Sequence, residues 1–137
     1  MLKKLLSHHI DNEKQSYLIS IRKNYCDLIF GGSKRFELRN KFLIRSQNSR
    51  FFVYETQPLK KIIGYFDSIR IVFDDKFTLW DEFGSDFGLD KGQYFEYSKY
   101  EKINIIEISN FKKFDQPIDP YKFVDNFHPP QNYFLIN

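Results

Sequence analysis

Two hydrophobic periods alternate along the chain, and the switches between them predict its elements. Residues 17–22, YLISIR, follow a period of two and read as a first strand. Residues 23–30 change period. Tyr25, Cys26, Ile29 and Phe30 make an apolar stripe at helical spacing, which predicts a helix of about two turns. Gly31-Gly32 ends it, because glycine reaches the left-handed geometry that commonly closes a helix. Residues 35–42 resume alternation as a second strand. Phe36 and Leu38 then share one face, while Arg35, Glu37 and Arg39 share the other.

Further on, residues 50–56 (RFFVYET) read as a strand by β-propensity, interrupted at Gln57-Pro58. Residues 59–73 predict one long strand with a bulge or bend at Gly64. Leu79, Phe83 and Phe87 predict a helix over residues 78–87, with Thr78 as candidate cap. A second short helix is expected over residues 90–99, capped by Asp90. Residues 102–114 read as a strand with a break in alternation at Ile105-Ile106. A proline-marked tail follows and ends in the short apolar run YFLI, residues 133–136. At the other end, a short helix over residues 2–7 and a loose polar stretch are expected. The order β-α-β-β-β-α-α-β, with a final short strand, favours an α+β fold with a curled sheet over a doubly wound one. It reads as a single domain over residues 17–137, preceded by a polar segment, residues 1–16.

Composition narrows the function classes. Aromatic residues make up 19% of the chain, enough to fill a core or to leave flat surfaces for stacking. No apolar run approaches the roughly 18 residues of a membrane helix, and the start lacks the apolar stretch of a secretory signal. Cys26 is the sole cysteine, so an internal disulfide and a thiol cluster are excluded. His8, His9 and His128 have no paired-ligand spacing. No metal and no cofactor are therefore expected, and a reducing, cytoplasmic setting is. Charge is uneven: residues 1–70 carry 14 Lys and Arg against 6 Asp and Glu, whereas residues 71–137 carry 7 against 12. A basic face would suit a phosphate-bearing partner. Solvated surface charges produce the same asymmetry without one.

One segment concentrates candidate chemistry. Gly32-Ser33-Lys34-Arg35-Phe36-Glu37-Leu38-Arg39 spells G-x-K-x-x-E-x-R between a helix and a strand. The glycines allow a sharp turn and a close approach of backbone to ligand. Lys34 leaves that turn before the strand begins, so its ammonium is expected at a cleft mouth. Glu37 and Arg39, two apart on one strand face, pair a proton acceptor with a fork suited to phosphate or a guanine edge. The same pair also suits a structural ion pair at a sheet rim, which contributes about 0–1 kcal/mol when exposed. Tyr54 and Thr56 alternate onto one side of their strand, a ring for stacking and a hydroxyl nearby. Lys60, just past Pro58, is a candidate phosphate contact; core packing for Tyr54 and plain solvation for Lys60 are the alternatives.

The motif resembles the signature of the ASCH domain family, related to the PUA fold. The surrounding segments, SIRKNYCDLIF, VYETQPLKKIIGYF, IEISNFKKFDQPI and PPQNYF, are similar to the same family, so the resemblance spans roughly residues 17–136. It implies a PUA-like mixed or antiparallel β-barrel with short flanking helices. It also implies a cleft floored by Lys34 and Glu37, and RNA or a nucleotide as partner. Some family members are hydrolases: amidohydrolases of modified cytidine that use a lysine, a threonine and a glutamate, and ribonucleases. Here Lys34 matches the lysine, but the residue three places on is Glu37, and Thr56 comes from another strand. Three readings follow. The first is a binding module that uses Gly32, Lys34, Glu37, Arg39, Tyr54 and Lys60. The second is a small hydrolase on RNA or modified nucleosides, with Lys34, Glu37 and Thr56 in its chemistry. A third is a regulatory protein whose acidic half engages another protein.

Overall fold

In the computed structural model, which describes residues 1–45 and 48–137, five short helices and eight strands are seen among the described residues. In chain order they are α1 (Leu2–Leu5), β1 (Gln15–Ile21), α2 (Lys23–Phe30), β2 (Phe36–Arg39), β3 (Ser49–Glu55), β4 (Lys61–Ser68) and β5 (Ile71–Asp75). Then come α3 (Lys76–Phe83), α4 (Lys91–Tyr97), β6 (Lys102–Glu107), β7 (Asn110–Ile118), α5 (Pro120–Phe123) and β8 (Tyr133–Leu135). The fold is α+β with mixed sheets.

The boundaries of α2 fall where the apolar stripe places them. The expected bulge at Gly64 is present, since the β4–β7 register shifts between Ile62 and Gly64. Other expectations are corrected. The cap of α3 is Asp75 rather than Thr78, its side chain accepting from the backbone N–H groups of Phe77 and Thr78 at 2.9 and 3.2 Å. The cap of α4 is Asp90, as the sequence predicts, and it forms a capping box with Gln93. The long strand over residues 59–73 divides into β4 and β5. Residues 102–114 divide after Glu107 rather than at Ile105-Ile106.

These two divisions form one corner. A five-stranded sheet has the order β7-β4-β3-β1-β8, with β1 and β3 parallel; a three-stranded antiparallel sheet has the order β2-β6-β5. Because β4 runs on to β5 and β6 to β7, the two paired strands bend together from one sheet into the other. Main-chain bonds hold the bend: Ser109 N–H to the Asp67 carbonyl at 2.8 Å and Glu107 N–H to the Arg70 carbonyl at 2.9 Å. On the far side, β2 and β8 are sheet edges, and no ladder joins them among the described strands. The barrel implied by the resemblance is thus not closed by main-chain hydrogen bonds.

Alternation along β1 and β3 sends side chains into two cores. Ile19, Ile21, Phe51 and Val53 meet Cys26 and Ile29 of α2, with Ile106 of the second sheet and Ile108 just past its end. Leu18, Phe52 and Tyr54 face the other way, against Leu6, Phe127 and Ile136. A sheet buried on both faces explains why these strands read as nearly continuous apolar runs. The third core lies under α3 and α4, where Leu79, Phe87 and Tyr94 cover Phe36, Leu38, Ile103 and Ile105. Cys26 is a small buried hydrophobe, 1% exposed, as its place in the α2 stripe implies.

Candidate functional site

The open seam between β2 and β1 holds a cavity of about 430 Å³. Its floor is built by the turn after α2. The Ser33 and Lys34 N–H groups both donate to the Leu28 carbonyl at 3.0 Å, and Gly32 takes φ +87°, a geometry that glycine reaches freely. Lys34 therefore points inward. Its Nζ donates to the Phe87 carbonyl at 2.7 Å. Gly88, at φ +71°, makes room for that contact, because a Cβ there would lie 3.3 Å from the Lys34 Cβ.

Lys34 is 2% exposed, and its Nζ lies 3.9 Å from Glu37 Oε1 and 5.2 Å from the Tyr25 ring centre. Burial lowers the Lys34 pKa below the ordinary lysine value, and nearby Arg39 adds to this; Glu37 opposes it in part. Glu37 itself is 4% exposed, and its Oε2 accepts from Arg39 at 2.7 Å. The Arg39 fork also donates to the Ser20 carbonyl at 2.8 Å and to Asn132 Oδ1 at 3.1 Å. A side chain, rather than a ladder, thus spans the seam from β2 to β1 and to the start of β8.

Burial pushes the Tyr97 hydroxyl up to about 12, and it donates to the Leu38 carbonyl at 2.9 Å. Its proton is fixed in place. Thr56 lines the cavity at the end of β3, where its N–H donates to the Ile21 carbonyl at 3.1 Å. Arg22, Pro130 and Gln131 complete the rim. Among the described residues, no group of three or more His, Cys, Asp or Glu is arranged to hold a metal ion.

Of the residues singled out from the sequence, the seam gathers Lys34, Glu37, Arg39 and Thr56. It does not gather Gly32, Tyr54 or Lys60. Gly32 shapes the turn behind Lys34. Tyr54 is 2% exposed in the second core, its hydroxyl 2.7 Å from that of Tyr121. Lys60 is exposed, with its Nζ 5.0 Å from the Tyr121 ring centre. The expectation that Tyr54 and Thr56 share a cleft fails because β3 ends at Glu55, so strand alternation no longer governs Thr56. Tyr25, Tyr97, Ser20 and Gln131 were not anticipated from the sequence. Tyr25 had only its place in the α2 stripe to mark it, and Gln131 only the proline-rich loop before β8.

Comparison with known proteins matches the fold. A family model described as a domain of unknown function (DUF365) covers residues 17–126. The crystal structure of ASCH from Zymomonas mobilis superposes with a TM-score of 0.82 at 27% identity, over 89% of this chain and 87% of that one. This chain belongs to the DUF365 family and is an ASCH domain. A tyrosine-to-phenylalanine variant of the Zymomonas protein superposes equally well, with a TM-score of 0.83 at 26% identity over 90% of this chain and 91% of that one. The Zymomonas mobilis protein named ASCH domain-containing ribonuclease is 28% identical over 127 residues, 88% of this ASCH domain and 83% of the relative.

Among the described residues of this ASCH domain, no helix is long and apolar enough to cross a membrane. β2 of the basic half lies between β6 and the seam, and Arg50 and Arg70 are paired with Asp67 and Glu107.

Proposed function

We propose that this ASCH domain takes a nucleotide of single-stranded RNA into the seam cavity and cleaves the strand there. The observation that carries the reading is the Lys34 ammonium, 2% exposed at the floor of an open cavity and 3.9 Å from a carboxylate. Burial brings a lysine's pKa toward the working pH, which suits a group that moves a proton. The ribonuclease name of the Zymomonas relative supports RNA as the substrate class.

In this reading the Lys34 amine takes the proton of a ribose 2′-hydroxyl as that oxygen attacks the adjacent phosphorus. The bond from phosphorus to the 5′-oxygen breaks, and water protonates the departing oxygen. The products are a 2′,3′-cyclic phosphate and a 5′-hydroxyl. Arg22 at the rim offsets the charge that builds on the phosphoryl oxygens. Glu37, bracketed by Lys34 and Arg39, orients both cations, and Thr56 supplies a hydroxyl on the opposite wall.

A second reading rests on the Lys34–Phe87 contact at 2.7 Å, which holds the ammonium in place without a ligand. In that case Lys34 organises a pocket that binds RNA and does not cut it. End-labelled single-stranded RNA, incubated with wild type and Lys34→Met, separates the two on native and denaturing gels. Cleavage predicts fragments ending in cyclic phosphate with wild type alone. A shift of intact RNA with both proteins supports binding instead. Neither a shift nor fragments would reject RNA as the ligand.

A further inference from the structure

A second cavity, of about 640 Å³, opens beside the first and belongs to none of the chemistry above. The two are neighbours through consecutive residues. Arg39 and Gln131 line the first; Asn40, Lys41, Asn132 and Tyr133 line the second. Asn132 is the wall between them. Its Oδ1 accepts from Arg39 at 3.1 Å on the seam side, and its amide donates to the Lys41 carbonyl at 2.8 Å on the other.

The lining has a distinct chemistry. Phe73 and Tyr100 are 49% and 45% exposed, so both side chains are about half open to solvent. A cation accompanies each: Arg45 lies 5.3 Å from the Phe73 ring centre and Lys41 lies 5.6 Å from that of Tyr100. Lys102 adds a third positive charge. Among the described residues no acidic side chain lines the groove, and none of these three cations forms an ion pair. Deeper in, Asn104 is 1% exposed, and its amide nitrogen donates to the Arg39 and Asn40 carbonyls at 3.2 and 3.4 Å. Among the described residues its Oδ1 has no hydrogen-bond partner.

We infer that this groove is a flanking-nucleotide subsite, where bases beyond the one in the seam stack on Phe73 and Tyr100 while Lys41, Arg45 and Lys102 meet the phosphates. Exposed rings interleaved with cations suit single-stranded nucleic acid: every base has a face to stack, and each phosphate contact releases counterions. Continuity across Asn132 sets the strand's path from one cavity into the other. The inference deepens the RNA reading of the seam and rests on it for the identity of the strand. It makes the preferred substrate an oligonucleotide rather than a free nucleotide.

The test uses a fluorescent 2′-O-methyl RNA decamer, which lacks the attacking hydroxyl and stays intact, titrated against the full chain. Wild type is compared with Phe73→Ala, Tyr100→Ala and Lys102→Glu; all three positions are exposed, so folding should survive. Each ring removal is expected to weaken the decamer at least about fivefold. Lys102→Glu should weaken it and flatten its salt dependence. Cutting of a dinucleotide, which fills the seam alone, should not change. Unchanged decamer affinity in the ring variants would overturn the inference, as would no decamer binding by wild type. So would a polyglutamate chain that competes as well as RNA, since the groove would then be a general polyanion surface. The two readings fail separately. Decamer binding that depends on the rings, with no RNA cut, removes the cleavage reading alone; cutting with silent ring variants removes the groove alone.

Discussion

The Nζ of Lys34 lies 3.9 Å from one oxygen of Glu37, while Arg39 binds the other oxygen at 2.7 Å. One carboxylate thus holds two cations at the mouth of a sheet that its own strands leave open. Burying Lys34 carries a desolvation cost, which Glu37 and the Phe87 carbonyl only partly offset.

Lys34→Met keeps the length of the side chain and removes the charge. Burial penalises the Lys34 charge by more than Glu37 returns, and without Lys34 the Glu37 carboxylate keeps its 2.7 Å pair with Arg39. We therefore expect a melting temperature equal to or above wild type, together with loss of RNA cleavage by about 10²–10⁴-fold, the range for removal of a proton-transfer group. Scanning fluorimetry and a gel assay on the same preparation check both. A variant that melts normally and still cuts RNA at the wild-type rate removes Lys34 from the chemistry.

The lowered pKa of Lys34 fixes the sign of a pH effect. The folded state binds this proton less tightly than the unfolded chain, whose lysine titrates near 10.5. Between the lowered folded value and 10.5 the unfolded state holds more protons, so this group's contribution to stability rises with pH across that window. Below the folded value its cost is constant. The stability gap between Lys34→Met and wild type should accordingly narrow as pH is raised toward 10.5. Urea denaturation at several alkaline pH values, read as a difference between the two proteins, gives the result. A gap that is flat or widening contradicts the burial argument.

Much of this centre was legible in the chain because its spacing is local. In G-x-K-x-x-E-x-R, strand alternation alone sends Glu37 and Arg39 to one face, and the turn delivers Lys34 beside them. The partners that complete it come from far away. Asn132 meets Arg39 across 93 residues and Phe87 meets Lys34 across 53, and no periodicity encodes such contacts. The same limit explains the long strands. Ile69-Arg70 carries no glycine or proline, yet the chain bends there because the β4–β7 and β5–β6 pairs must turn together. Tyr54 was misplaced for the opposite reason: its strand is buried on both faces, so alternation shows which side it takes but not that a second core waits there.

Arg39 should be the most sensitive position in the seam for stability. It is 13% exposed at the side chain, Glu37 is 6%, and its fork reaches three acceptors. Arg39→Ala leaves the buried Glu37 carboxylate with only Lys34, 3.9 Å away, and should cost about 3–5 kcal/mol, the range for breaking one side of a buried pair. Arg39→Lys retains the charge but not the fork, so it should recover part of that loss. Urea midpoints of the two variants make the comparison. Equal, small losses would mean that the seam is held by something other than this side chain.

Cys26 gives an independent check on the core beneath α2. Its thiol is 1% exposed, donates to the Ile21 carbonyl at 3.5 Å, and is pushed well above the usual thiol range by burial. The thiolate is the reactive form, so the folded protein should not react with an aromatic disulfide reagent over minutes at neutral pH. Addition of guanidinium should release one thiol per chain. Prompt reaction of the native protein would show that α2 opens readily.

Tyr54 separates a base-stacking role from a packing one. Its ring lies 5.8 Å from that of Phe127 and 6.4 Å from that of Tyr121, away from the seam cavity. Tyr54→Phe removes only the hydroxyl contact to Tyr121, whose own ring is 40% exposed and whose hydroxyl can be rehydrated. The expected cost is at most about 1 kcal/mol. Tyr54→Ala empties a buried aromatic site and should cost about 3–5 kcal/mol, as large core truncations do. Both should bind and cut RNA like wild type when compared per folded molecule, well below their unfolding midpoints. A loss of RNA affinity in Tyr54→Phe, with stability preserved, would return Tyr54 to the ligand and move the binding surface to the opposite face of β3.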